Sequence, residues 1–288
     1  TILTEYTGHY HYPVLKKLQQ EGFPVCVINP YQMKKYGDVE IHKAKTDKKD
    51  AIRIATYALE KAYKLVPYNS LEQKYEDLKF LSRQYNQRIS SVSYTKVQLI
   101  NLLDQTMPGI THLLPLRSRN PEQCVLLLFV KRFKSFDEIN KIGKTRFLSS
   151  YATLVKKTRD RHAPSKGLAI YELAKNSITT RGEDPYIQLA QSQCVDLLAS
   201  SQNAADEIIL QMQTIAETIP EYKVLRSMAG VGDRLGPVIL AEIGDIRRFH
   251  SGKALNSFAG NDAPPYQSGQ FESRSRHISK RGSSTLRK

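Results

Sequence analysis

The spacing of apolar positions changes several times along the chain, and each change predicts a different element. Thr1 to Thr4 is a short β-branched run, Tyr10 to Gln20 carries Val14, Leu15 and Leu18 at helical intervals, and Pro24 to Ile28 is a second apolar run closed by Asn29-Pro30. Strand, helix and strand in that order predict a βαβ unit. A helix is then predicted from about Asp47 to Tyr63, with Ala51, Ile52, Ile54, Ala55, Ala58 and Leu59 as its buried face and Pro67 as its stop. From Ser70 to Thr106 there is neither Gly nor Pro, and Leu71, Leu78, Leu81, Ile89, Val92, Val97, Leu99, Leu102 and Leu103 recur at near-helical intervals. This predicts a long projecting helix of coiled-coil character. Shorter helices are expected after Met107-Pro108-Gly109, and Tyr186 to Ile219 reads as a second long helix able to pair with the first.

Gly and Pro return after Pro220, so the chain divides into a partial α/β domain (1–66), a helical, coiled-coil middle (67–219) and a small, mainly helical C-terminal domain (220–288). The chain opens at Thr1 without an initiator Met, and Ser283 to Lys288 reads as the start of a helix, so it is expected to be a fragment truncated at both ends.

Composition narrows the partners. The longest unbroken apolar run, Cys124 to Val130, ends at Lys131-Arg132, far short of the roughly 20 residues of a membrane-spanning helix. Cys26, Cys124 and Cys194 lie far apart, without zinc-knuckle spacing or the even count of a disulfide framework, which predicts a reducing, cytoplasmic setting. Forty-three Lys and Arg against 28 Asp and Glu leave a net charge of +15, the sign and size expected for a polyanionic partner, nucleic acid first. Between Lys131 and Lys166 there are eleven Lys or Arg, among them Lys156, Lys157, Arg159 and Arg161, against three acids. This is the predicted main nucleic-acid patch.

Three segments offer chemistry. In Lys45-Thr46-Asp47-Lys48-Lys49-Asp50-Ala51, two carboxylates stand three apart at a helix start. They share a face and can reach one hard cation such as Mg2+; equally, Asp47 can cap the helix while Asp50 favours its dipole. Glu5 falls just past the first strand, at the edge where α/β sheets place binding groups. In Leu225 to Gly244, Gly230-Val231-Gly232 lies between two apolar helices, as in a helix-hairpin-helix that brings backbone N–H groups to a phosphate, or as in an ordinary αα-turn. Ser268, between Pro264-Pro265 and Gly269, is followed by Arg274, Arg276, Lys280 and Arg281. It can attack a phosphodiester while the cations offset charge, or it can be an ordinary turn serine.

Together these residues resemble a family. Glu5-Tyr6-Thr7-Gly8, Gly22-Phe23, Asn29-Pro30 and Lys45 to Ala51 look like the N-terminal domain of the DEDD insertion-sequence transposases, relatives of the Piv invertase. Met228 to Gly232, Glu242-Ile243-Gly244, Phe258-Ala259-Gly260, Ser268-Gly269, Ser279-Lys280-Arg281-Gly282 and Leu286-Arg287 look like its C-terminal transposase domain. The resemblance implies a RuvC-like, RNase H-type first domain in which Glu5, Asp47 and Asp50 are the second, third and fourth acids and hold Mg2+, with Ser268 as the DNA nucleophile. The first acid would lie upstream of Thr1. It further implies DNA and a structured non-coding RNA as partners, and a dimer or tetramer whose protomers complete each other's sites. The rival readings are an inactive nucleic-acid-binding remnant and a RuvC-like junction nuclease that uses water.

Overall fold

Strand β1 (Ile2–Glu5) runs parallel to β2 (Val25–Ile28), with Ile2 opposite Val25 and Glu5 opposite Ile28. Parallel neighbours need a crossover, and helix α1 (Tyr12–Gln20) supplies it. Val25, Cys26 and Ile28 are buried, as is Leu15 of α1. The expected βαβ unit is present. Asn29-Pro30, predicted only to close the strand, also opens helix α2 (Pro30–Gly37): the Asn29 side chain accepts the Tyr31 N–H at 2.8 Å, and proline suits a first helical turn.

Helix α3 (Asp47–Glu60) differs from expectation in which side it buries. Ile52 and Leu59 are 57% and 82% exposed, and no residue of α3 is fully buried. The partly covered positions are Asp50, Arg53, Ile54, Tyr57 and Ala58. At 100° per residue this turns the helix by roughly a quarter to a third of a turn from its apolar centre. The cause is local: Tyr57 meets Tyr36 edge-on at 5.1 Å, and the Tyr36 hydroxyl donates to Glu60 at 2.8 Å. The helix therefore docks on α2 through an aromatic and polar seam while it packs against β1.

The structure is a computed structural model that describes residues 1–37, 46–68, 73–116, 120–158, 164–263, 267–268, 271–272 and 277–287. The chain separates into two units, Thr1–Leu71 and Glu72–Lys288. The boundary expected at 219/220 falls inside the second unit.

That unit is organised by two long helices, α4 (Gln73–Thr106) and, after five shorter ones, α10 (Pro185–Glu217). They pack side by side as their patterns predict, since Leu78, Ser82, Val92, Leu99 and Leu103 of α4 and Ile187, Gln191, Val195, Leu198, Ala205 and Met212 of α10 are buried at spacings built from threes and fours. Asp184 caps α10 by accepting the Tyr186 N–H at 2.8 Å, with Pro185 in the first turn. The intervening helices are α5 (Ile110–Leu113), α6 (Val125–Arg132), α7 (Phe136–Ile142), α8 (Lys144–Val155) and α9 (Gly167–Asn176). They gather Phe129, Phe133, Phe147 and Tyr151 against Leu99, Leu103 and Leu198. Phe129 and Phe133 have centroids 5.0 Å apart and Phe147 stacks on Tyr151 at 5.9 Å, so the Cys124 to Val130 run is core. Helices α11 (Glu221–Ser227), α12 (Leu235–Ile243) and α13 (Gly252–Ala259) follow, then β3 (Gln267–Ser268) antiparallel to β4 (Phe271–Glu272), then α14 (Ser284–Arg287). Among the described residues no helix is long and apolar enough to cross a membrane.

Candidate functional site

In the first unit Glu5 ends β1 at the carboxyl edge of the sheet, half-buried. Asp47 and Asp50 occupy the first turn of α3, the helix packed against that strand. The cap of this helix is Thr46, whose hydroxyl accepts the Lys49 N–H at 3.3 Å, so the capping role considered for Asp47 belongs to its neighbour. Asp50 faces Arg53 of its own helix, with Nη1 to Oδ1 at 3.4 Å. Among the described residues no three His, Cys, Asp or Glu side chains gather closely enough to hold a metal ion. As they stand, Glu5, Asp47 and Asp50 do not fit a divalent cation.

The turn after Glu5 holds a residue that sequence reasoning passed over. His11 is buried at 4% exposure, and neither ring nitrogen has a hydrogen-bond partner. It lies between Tyr6 and Tyr12, with centroids at 4.5 and 4.3 Å. Burial, followed by contact with the Tyr6 and Tyr68 hydroxyls, raises the Tyr12 phenol well above its ordinary range. The available signal was the alternation His9-Tyr10-His11-Tyr12.

In the second unit, α11 and α12 form a helical hairpin. Gly230 takes φ +86°, and Val231 N–H returns to Met228 O at 3.1 Å. Gly230 and Gly232 are exposed, and a Cβ added at either would meet nothing within 4 Å. Gly236 is where the helices touch, since a Cβ there would come within 2.9 Å of the Tyr222 ring. Arg226 donates to Val231 O at 2.8 Å and pairs with Asp233; Arg234 reaches Asp206 of α10 at 2.6 Å. The arginines of this turn are thus engaged in holding it.

The basic middle is less one-sided in space than along the chain. Lys131 pairs with Asp196 at 2.7 Å and Lys141 pairs with Glu183, both acids lying outside the counted window. Lys156 and Lys157 are exposed at the end of α8. Arg159, Arg161, Arg274 and Arg276 lie outside the described residues.

The C-terminal segment folds back on itself. After α13, Gly260 turns the chain at φ +74°, and residues 258–262 pair with the returning 279–283. Ser279 N–H donates to Asp262 O at 2.8 Å, Lys280 N–H to Gly260 O at 3.0 Å and Ser283 N–H to Phe258 O at 2.9 Å. Further out, Ser268 lies opposite Phe271, with only Gly269-Gln270 between them in sequence. The backbone of Ser268 therefore lies at the tip end of a hairpin. The Ser279 hydroxyl donates to Asp262 Oδ1 at 2.5 Å and accepts the Arg281 N–H at 3.3 Å. Ser283 behaves as the cap expected of it: its hydroxyl accepts the Leu286 N–H at 3.3 Å and donates to Glu242 at 2.7 Å. Lys280 and Arg281 are exposed.

Both regions have counterparts among known proteins. Residues 1–108 match a DEDD-type IS110 family described as "Transposase", and residues 222–288 match the "Transposase IS116/IS110/IS902 family". Each end of the chain is thus similar to an IS110-type transposase domain. The first IS110 match runs past the first unit to the end of α4, and the second begins in α11, so the aromatic core of the middle lies between them. The chain is also 27% identical, over 272 residues, to "Insertion element IS110 uncharacterized 43.6 kDa protein" of Streptomyces coelicolor. That alignment covers 93% of the chain and 64% of the relative's length.

Proposed function

We propose that this chain is the core of an insertion-sequence DNA transposase in which Ser268 is the nucleophile. The observation that carries the reading is the pair of IS110 transposase matches at the two ends of the chain, the second containing the hairpin that bears Ser268. In the proposed step Ser268 Oγ attacks a DNA phosphorus. The Oγ–P bond forms as a P–O bond to deoxyribose breaks, and the serine proton ends on the leaving oxygen. Glu5, Asp47 and Asp50 are the residues proposed for a divalent cation, Mg2+ by its preference for carboxylate oxygens. The three do not gather in this structure. The net charge of +15 supports nucleic acid as partner, and a structured RNA guide is proposed alongside DNA. Protomers are proposed to pair, the acids of one acting with Ser268 of another.

The test is covalent trapping. The full-length protein containing this chain is incubated with DNA from the ends of its element and RNA transcribed from that element, then run on a denaturing gel. A protein–DNA adduct absent from Ser268→Ala supports the reading. Cutting without an adduct favours a junction nuclease, and binding without cutting favours an inactive remnant.

A further inference from the structure

A serine near the tip of a hairpin attacks efficiently only when it is aimed. Asp262 and Ser279 flank the ladder of Gln267-Ser268 with Phe271-Glu272 in sequence, and they are bonded to each other. Closing the base of a hairpin restricts the chain between its ends. The base is closed at two levels. Ser279 is bound twice to Asp262, through its N–H at 2.8 Å and its hydroxyl at 2.5 Å, the second a charge-assisted bond to a carboxylate. Below it the two segments approach so closely that a Cβ on Gly282 would stand 2.2 Å from Phe258 O, and Arg287 donates to Ala259 O at 3.0 Å. Lys280 accepts a φ of +53° to keep this path, a conformation that costs a non-glycine residue energy and persists only where the surroundings enforce it.

From this geometry we infer that Asp262 and Ser279 are positioning residues, a buckle at the base of the hairpin that sets the orientation of Ser268; the inference rests on Ser268 being the nucleophile. Ser279 is not itself the attacking group. Its hydroxyl proton is committed to Asp262, and it accepts from Arg281 N–H, so its hydrogen bonds are spent inside the fold. What the buckle contributes is rate, since the attack of an oriented nucleophile depends steeply on placement.

The test compares Ser279→Ala and Asp262→Ala with Ser279→Thr and Asp262→Asn, which keep a hydroxyl and an acceptor. In single-turnover adduct formation the alanine variants are expected to react at least about tenfold slower, the scale of loss that misplacement of a reacting group produces. DNA affinity should be unchanged, and the conservative variants should recover most of the rate. Native-state amide exchange at Lys280 and Ser283 should accelerate in the alanine variants alone. Wild-type adduct rates in both alanine variants, with Ser268→Ala inactive, overturn the inference. If Ser268→Ala still forms the adduct, the nucleophile assignment fails instead; amide exchange then decides the buckle by itself, and unchanged protection in the alanine variants overturns it.

Discussion

Gln191 and Thr106, 85 residues apart, meet in the interior between the two long helices, where the Gln191 amide donates to the Thr106 hydroxyl at 2.5 Å. Gln191 is 1% exposed and Thr106 fully buried, and the Thr106 hydroxyl in turn donates to Leu102 O at 3.2 Å. This contact ties the two helices together within a mostly apolar seam. Thr106→Val should cost about 1–3 kcal/mol by leaving a buried donor unpaired, while Gln191→Leu with Thr106→Val should recover much of the loss. Urea denaturation of the four proteins of the cycle measures it, and additive losses would show that the contact contributes nothing.

His11 presents the reverse case, a buried ring with two unmet polar atoms between Tyr6 and Tyr12. Phe replaces it with similar shape and no unpaired group, so His11→Phe is expected to raise stability by about 1 kcal/mol. A lowered denaturation midpoint would mean that the ring nitrogens have a partner in solution.

At Gly282 the obstacle is backbone, because a Cβ would stand 2.2 Å from Phe258 O and 2.8 Å from Gly260 N. Gly282→Ala should destabilise the C-terminal segment by about 2–3 kcal/mol, the usual range for forcing atoms into a packed space. Gly232→Ala, where nothing lies within 4 Å, is the control and should fall within about 0.5 kcal/mol of the parent.

Asp184 makes stability sensitive to acid. The Tyr186 N–H it accepts, and beside it the Arg181 guanidinium, hold its carboxyl below the ordinary carboxylate value in spite of some desolvation. A carboxylate lowered in the folded state contributes fully above its unfolded pKa of about 4, and the contribution disappears as pH falls through the lower folded value. Asp184→Asn keeps the cap acceptor without the charge, so its thermal midpoint should fall less steeply as the pH drops below about 4 than that of the parent. Parallel curves would remove Asp184 from the acid response.

Nucleic-acid binding should weaken steeply with salt because phosphate contacts release counterions. Neutralising Lys156, Lys157, Arg159 and Arg161 together should flatten the log–log salt dependence, whereas neutralising Lys131 and Lys141, each paired with an acid, should change it less. Equal slopes for all three proteins would place the contacts elsewhere.

Much of this architecture was legible in the residues. The βαβ unit, the break at Met107-Pro108-Gly109 and both long helices follow from hydrophobic period and from Pro and Gly, since these act within a few residues of chain. The motifs around Glu5, Asp47, Ser268 and Gly282 carried the family resemblance for the same reason, being short and local. The rotation of α3 was not legible: Ile52 and Leu59 form a good apolar face, but whether a face is buried depends on what the partner surface offers, and here Tyr36 and Tyr57 set the contact. Nor could a charge count along Lys131 to Lys166 see Asp196 and Glu183, which pair with Lys131 and Lys141 from beyond that window.

The sequence by itself therefore determined the elements, their order and the chemical types available, because propensity, capping and periodicity are local energies. Only the tertiary structure decided which groups meet. It joined Ser279 to Asp262 across 17 residues and Thr106 to Gln191 across 85, and among the described residues it gathered no three His, Cys, Asp or Glu side chains able to hold a metal ion. Each of these outcomes depends on loop closure and packing between distant segments, terms that no window of sequence contains.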